Sequence, residues 1–248
     1  MLGAHHPLLK SIRKAVQRGA CTEDGFAVAE GFHLLDEARR ANTPIGAVLA
    51  TPAAAARLGD VDGLHLVDDA ILHQISSVEA SQGVLSLLRI PDASLPDTLR
   101  GNALTIVLDG IQDPGNAGAI LRSAEAFGAT GAVFLKGSVS PWNPKTLRAS
   151  AGSILRLPFA LTDWDALLAE AGSRRIPLYA AHPRDGRRID QVPLHQPAAI
   201  LIGNEGRGIP PQHQFAATPV RIPTAGVESL NAALAAGILL YEAARQRQ

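Results

Sequence analysis

The segment L-D-G-I-Q-D-P-G-N-A-G-A-I-L-R-S-A-E-A-F-G, from Leu108 to Gly128, changes its periodicity part-way along. That change constrains the fold more than any other feature. An apolar run, Leu104 to Leu108, stops at Asp109-Gly110, and beyond it Ile120, Leu121, Ala124 and Phe127 recur at helical spacing. A buried strand therefore feeds a helix, with the polar tract Gln112 to Gly118 as the turn between them. In an open α/β sheet such a turn lies at the carboxyl end of a strand, where ligands bind. Asn116 and Arg122 then stand in the first turns of a helix beside a crevice. They read either as ligand-facing groups or as a helix-start polar residue and a surface charge.

The same alternation runs through the chain before this segment. Leu8, Leu9, Ile12 and Val16 form the apolar stripe of a helix over residues 1–19, and Gly19 is its stop. Lys10, Lys14 and Arg18 recur every four residues on another face, with Arg13 beside them, as a solvated face or a ridge that tracks phosphates. Strands at 26–29, 45–50, 63–67 and 84–88 alternate with helices at 32–41, 53–58 and 68–75, which predicts a compact α/β layer domain. Glu30-Gly31 follows the first strand at once, as a tight turn with a capping carboxylate or as a contact for RNA. Residues 89–102 carry two prolines and mostly polar groups, so they read as a linker. The expected domains are 1–96 and 97–248.

In the second domain the expected strands are 104–108, 131–135, 158–161, 177–181, 198–202 and 220–222. Residues 182–197 read as a loop holding Arg184, Arg187 and Arg188. The apolar strand 198–202 ends in G-N-E-G-R-G, Gly203 to Gly208, whose glycines let backbone N–H groups approach a ligand. The order is neither G-x-G-x-x-G nor a P-loop. Glu205 in this loop suits a cationic or hydroxyl-bearing ligand better than a phosphate. After Arg221 the chain reads I-P-T-A-G-V-E-S-L-N, and a long helix is expected over 229–246. Ser229 is its natural N-cap, which places Asn231 inside the first turn, where asparagine is a poor helix former.

Composition narrows the class without naming the partner. Lys+Arg and Asp+Glu both number 23, so RNA would have to be met by local patches rather than a global field. The single cysteine, Cys21, excludes a disulfide framework and points to a reducing, cytoplasmic setting. No apolar run is long enough for a membrane span, so no membrane partner is expected. The eight histidines show no ligand spacing, so no metal is expected either. Ser153 and Ser229 lack the flanks of a nucleophile elbow.

Three strand-end loops taken together, D-P-G-N-A-G-A-I-L-R-S-A-E-A-F-G, I-G-N-E-G-R-G-I and I-P-T-A-G-V-E-S-L-N-A-A-L-A-A, closely resemble the three motifs of the SpoU, or TrmH-type, RNA ribose methyltransferases of the SPOUT superfamily. H-P-L-L-K, A-E-G-F-H-L-L-D-E-A and S-Q-G-V-L-S-L-L are similar, more loosely, to that family's amino-terminal substrate-binding domain, which has a ribosomal-protein-like α/β fold. The resemblance implies an α/β catalytic domain with a carboxyl-terminal trefoil knot, a homodimer, and S-adenosylmethionine as cofactor. It implies methyl transfer to a ribose 2′-hydroxyl of RNA, with large-subunit ribosomal RNA as first choice. A transfer-RNA enzyme or a non-catalytic RNA-binding protein are the alternatives.

By motif position the catalytic set is Asn116, Arg122, Glu205, Ser229 and Asn231. The cofactor contacts are Ile202, Gly203, Gly208, Ile222 and Leu230. The candidate RNA contacts are Lys10, Arg13, Lys14, Arg18 and Glu30. A guanidinium holds its proton too tightly to be a good base, so Arg122 is expected to clamp the target's phosphate or hydroxyl. The last motif departs from the family pattern at Thr224, where methionine is usual, and at Ala232-Ala233, where Val-Ser is usual.

Overall fold

The computed structural model describes residues 1–90 and 93–248. The chain forms two compact units, one of Met1–Pro91 with Ser140–Leu155 and one of Asp92–Val139 with Arg156–Gln248.

In the first unit α1 (Pro7–Arg18), β1 (Ala27–Glu30), α2 (Phe32–Arg40), β2 (Ile45–Ala50), α3 (Pro52–Leu58), β3 (Leu64–Leu66), α4 (Asp69–Ile75) and β4 (Val84–Leu88) follow in order. The sheet order is β1-β4-β2-β3, antiparallel except for the β2–β3 pair. Its core joins Leu9 and Ile12 of α1 to Val28, Leu49 and Leu85 of the strands. α1 starts later than the expected range 1–19, because His6 is its cap: the His6 imidazole accepts from the Leu8 amide at 3.2 Å, and Pro7 takes the first position. Gly19 ends it in the left-handed region, at φ 59°.

The linker holds one helical turn, α5 (Leu95–Thr98), closed by a capping box between Ser94 and Asp97. Then come β5 (Leu104–Asp109), α6 (Pro114–Ala126), β6 (Gly131–Leu135) and α7 (Pro144–Ser150), the last belonging to the first unit, where it packs on β1. β7 (Phe159–Thr162), α8 (Trp164–Ser173), β8 (Leu178–Ala181), β9 (Arg187–Arg188), β10 (Ala198–Gly203), α9 (Pro211–Phe215), β11 (Thr218–Arg221) and α10 (Ala232–Gln246) complete the second unit.

Its seven strands are ordered β7-β6-β5-β10-β8-β11-β9 and all pairs are parallel. A parallel sheet is covered on both faces, so its central strands are mostly apolar and buried almost throughout, as β5 and β10 are. α10 packs on α6 and on β10. The β5–β10 register sets Asp109 opposite Gly203, so the turn after β5 and the glycine loop after β10 open side by side.

Three local expectations are corrected. α6 begins at Pro114, well before the apolar periodicity, because the Asp113 side chain caps it by accepting from the Asn116 amide at 2.7 Å. Residues 182–197 are not all loop: β9 pairs with β11, and a 3-10 turn covers Ile189–Gln191. α10 begins at Ala232, and Asn231, not Ser229, is its N-cap. No helix among the described residues is long and apolar enough to cross a membrane.

Candidate functional site

A cavity of about 570 Å³ opens where the chain leaves β8, β10 and β11. Ile202, Gly203 and Gly208 form one side of it, and Ile222, Leu230 and Ser229 another. All five expected cofactor contacts therefore line one space, with Glu205, Ser229 and Asn231 from the expected catalytic set.

The glycine loop keeps its shape through its own polar groups. Asn204 and Gly208 exchange two backbone hydrogen bonds, and the Asn204 Oδ1 accepts from the Gly206 and Arg207 amides at 3.0 and 2.9 Å. Its Nδ2 donates to the Gly110 carbonyl at 2.9 Å, tying the loop to the end of β5. Sequence reasoning misses Asn204, although an asparagine that turns back on the next amides is a recognisable Asx signal. Gly203 has no room for a side chain: a Cβ there would lie 2.5 Å from the Gly208 carbonyl carbon and the Ile209 nitrogen.

A directional hydrogen-bond chain runs along the rim. The Asn231 Oδ1 accepts from the Ala233 and Leu234 amides at the start of α10, which leaves its Nδ2 to donate to Asn116 Oδ1 at 3.1 Å. The Asn116 Nδ2 in turn donates to Glu205 Oε1 at 2.8 Å. An ionised carboxylate only accepts, so Glu205 fixes which way the Asn116 amide points, and Asn116 fixes Asn231. Burial pushes the Glu205 carboxyl up, but the bonds from Asn116 and from backbone amides, including Gln112 and Asp113, outweigh it and hold it below its usual range.

Arg122 lies on the exposed side of α6, six residues beyond Asn116, and has no hydrogen bond or ion pair among the described residues. Ser229 is exposed at the cavity wall, in the segment before Asn231. A second cavity of about 430 Å³ shares Pro183, Ile222 and Thr224 with the first and is lined by Arg184 and Arg221. Arg184 pairs with Glu228 there, and the Arg221 Nε donates to the Gly186 carbonyl at 3.2 Å.

In the first unit Lys10 and Arg18 are exposed on α1, Lys14 pairs with Glu23, and Arg13 donates to Gln74 at 3.4 Å. Glu30 is not at the surface. It is 6% exposed, accepts from Ser76 and Ser77, and lies 3.9 Å from the Arg148 guanidinium. Among the described residues no group of three or more His, Cys, Asp or Glu is placed to hold a metal.

Residues 103–241 match the SpoU rRNA Methylase family. An uncharacterized tRNA/rRNA methyltransferase of Synechocystis is 34% identical, over 98% of this chain and 92% of its own length. The 23S rRNA (guanosine(2553)-2'-O)-methyltransferase RlmP of Bacillus subtilis is 24% identical, over 96% of each chain. Among solved structures, the SpoU methyltransferase AviRb of Streptomyces viridochromogenes, in complex with the cofactor AdoMet, superposes with a TM-score of 0.87 at 25% identity over 98% of each chain. An AdoMet-bound rRNA methyltransferase of Sinorhizobium meliloti gives 0.86 at 27% identity, over 99% of this chain and 97% of that one. The chain is an α/β protein that belongs to the SpoU rRNA methylase family.

Proposed function

We propose that this protein transfers a methyl group from S-adenosylmethionine to a ribose 2′-hydroxyl of RNA, with large-subunit ribosomal RNA as the substrate class. The single observation that carries the reading is the Glu205–Asn116–Asn231 chain at the rim of a cavity lined by Ile202, Gly203, Gly208, Ile222 and Leu230. The volume, about 570 Å³, suits a nucleoside-sized ligand, and the mixture of apolar side chains with backbone groups suits its adenosine and methionine parts. When bound, the cofactor supplies an electrophilic methyl on a positively charged sulfur.

The protein's own task is then to position the acceptor and let its proton go. Arg122, whose side-chain donors are uncommitted among the described residues, holds the target's phosphate or hydroxyl. Asn116, locked by Glu205, presents a fixed amide beside it, and Ser229 adds a hydroxyl at the cavity wall. The residues lining the cavity would hold the cofactor, which would supply the methyl group, and the acceptor hydroxyl held by Arg122 would lose its proton to water.

The first unit serves as the RNA-binding part, in keeping with a substrate-binding domain of ribosomal-protein type, and the second is the methyltransferase. Lys10, Arg13, Lys14 and Arg18 meet RNA from α1, and Arg184 and Arg221 meet it beside the cofactor. Insertion of β10 between β5 and β8, with α10 packed back on α6, supports a carboxyl-terminal trefoil knot. Leu234 and Tyr241, 54% and 55% exposed and seven residues apart on α10, support a homodimer formed through that face. A cytoplasmic setting suits both an RNA substrate and the lone thiol.

The deciding experiment supplies labelled S-adenosylmethionine and total RNA lacking the modification, then separates ribosomal from transfer RNA. Label at one alkali-resistant position of large-subunit RNA is expected. Label in transfer RNA alone would move the substrate, and none in any fraction would sink the enzyme.

A further inference from the structure

α9 is a five-residue helix with no buried residue, and Phe215 on it is 91% exposed. A helix of that length has no stability of its own and gains none here from an apolar face. Polar and ring contacts hold it instead. The His213 Nδ1 lies 2.7 Å from Asp109 Oδ2, with the two side chains 12% and 5% exposed. The His213 ring stacks on Trp164 at 4.0 Å between centroids and 18° between planes. Next to it, the Gln214 Nε2 donates to the Ile209 carbonyl at 2.7 Å.

These contacts converge on one place. The glycine loop is tied at its beginning by Asn204 to the Gly110 carbonyl, and at its end, through Ile209, Gln214 and His213, to Asp109. Both ends of the loop are thus fastened to adjacent residues at the end of β5. Between the fastenings lie Glu205 to Gly208, which line the cavity, and Gln214 itself lines it. A carboxylate as buried as Asp109 is costly unless it is paired, so an apolar residue would serve a plain core better. The pair has a positional task that a core residue would not perform.

We infer that Asp109 and His213 are positioning residues for the cofactor: their contact fixes the end of the 203–209 loop, and hence the cavity that the loop walls. This rests on the proposed S-adenosylmethionine site.

The test is calorimetric titration of the full chain with S-adenosylmethionine, alongside steady-state methyl transfer. His213→Ala is expected to weaken cofactor binding about tenfold, as loss of one charged hydrogen bond would. The effect should appear in the cofactor KM while kcat at saturation holds. His213→Asn, whose Nδ2 can take the place of the ring Nδ1, should restore affinity to within about threefold. His213→Phe keeps a ring on Trp164 without the Asp109 contact and should behave as the alanine variant does, which covers the case in which alanine loosens the fold.

Alanine and phenylalanine variants that bind as tightly as the unaltered protein overturn the inference. So does an asparagine variant as weak as the phenylalanine one, or a loss confined to thermal stability. Absence of binding by the unaltered protein overturns the proposed function, and this inference with it.

Discussion

The end of β1 and the loop after β10 each carry a glutamate followed by glycine, yet the two carboxylates organise their neighbours in opposite environments. Glu30 is enclosed, with both oxygens taken by Ser76 and Ser77 and with Arg148 beside it. Glu205 is exposed at the mouth of a cavity and reaches outward through one amide, Asn116, to a second, Asn231. The first carboxylate is consumed by the fold that surrounds it. The second is held ionised by few bonds and sets the direction of groups that still have room for a ligand. Burial and satisfaction, rather than residue type, separate a structural acid from one available to a site.

The largest expected effect is that of Glu30→Ala, which removes the buried acceptor of the Ser76 and Ser77 donors and the carboxylate beside Arg148, and should lower stability by about 3 kcal/mol. Denaturant melts of the full chain measure it, and the folded protein should bind cofactor as before. An unaltered midpoint would break the contrast. Asn116→Ala tests the other side: turnover should fall about a hundredfold while stability changes by only about 1 kcal/mol. A comparable loss in both quantities would make the rim a structural network like that around Glu30.

Glu205→Gln sharpens the comparison through pH. Because the folded carboxyl titrates below its usual value, its contribution is complete above the ordinary carboxylate range and is lost only as pH falls through the depressed value. The cofactor affinity ratio of the unaltered protein to Glu205→Gln should be about threefold, constant from about pH 8 to about pH 5, and converge below. Convergence already near neutrality would contradict a depressed value. The smallest effects concern RNA: Lys10→Glu and Arg184→Glu should each reduce the salt slope of RNA binding by about one for every phosphate no longer neutralised. If only one variant does so, RNA is met at that patch and not the other.

Much of the second unit is written locally. β5 and β10 are continuous apolar runs that end in polar, glycine-bearing turns, and their loops gather the polar groups, so both the sheet and the site's whereabouts can be read in one dimension. The start of α10 cannot. Ser229 has the chemistry of a cap, but Ser229 and Leu230 stay outside the helix along the cavity wall, and the cap falls to Asn231. α9 leaves no trace, because a helix without a buried face has no apolar period to detect. His213 reads as one of eight scattered histidines, since its partner Asp109 is 104 residues away. Glu30 and Glu205 look alike in sequence, because what distinguishes them is supplied by Ser76, Ser77, Arg148 and Asn116 from distant parts of the chain.

The placement of Ser140–Leu155 in the first unit bears on how the chain is made. On the ribosome β1 to β4 emerge together, but α7, which covers β1, and Arg148, which approaches Glu30, follow only after β5, α6 and β6. At synthesis rates of about 5–20 residues per second, the first unit waits several seconds for its last piece. Until then β1 lacks the cover of α7, and Glu30 has its serine partners but not Arg148, so part of the strand is open to aggregation or to a chaperone. A fragment cut at the linker would lack α7 and Arg148, so it is expected to melt at lower denaturant than the same unit in the whole protein, and an equal midpoint would contradict that role for α7.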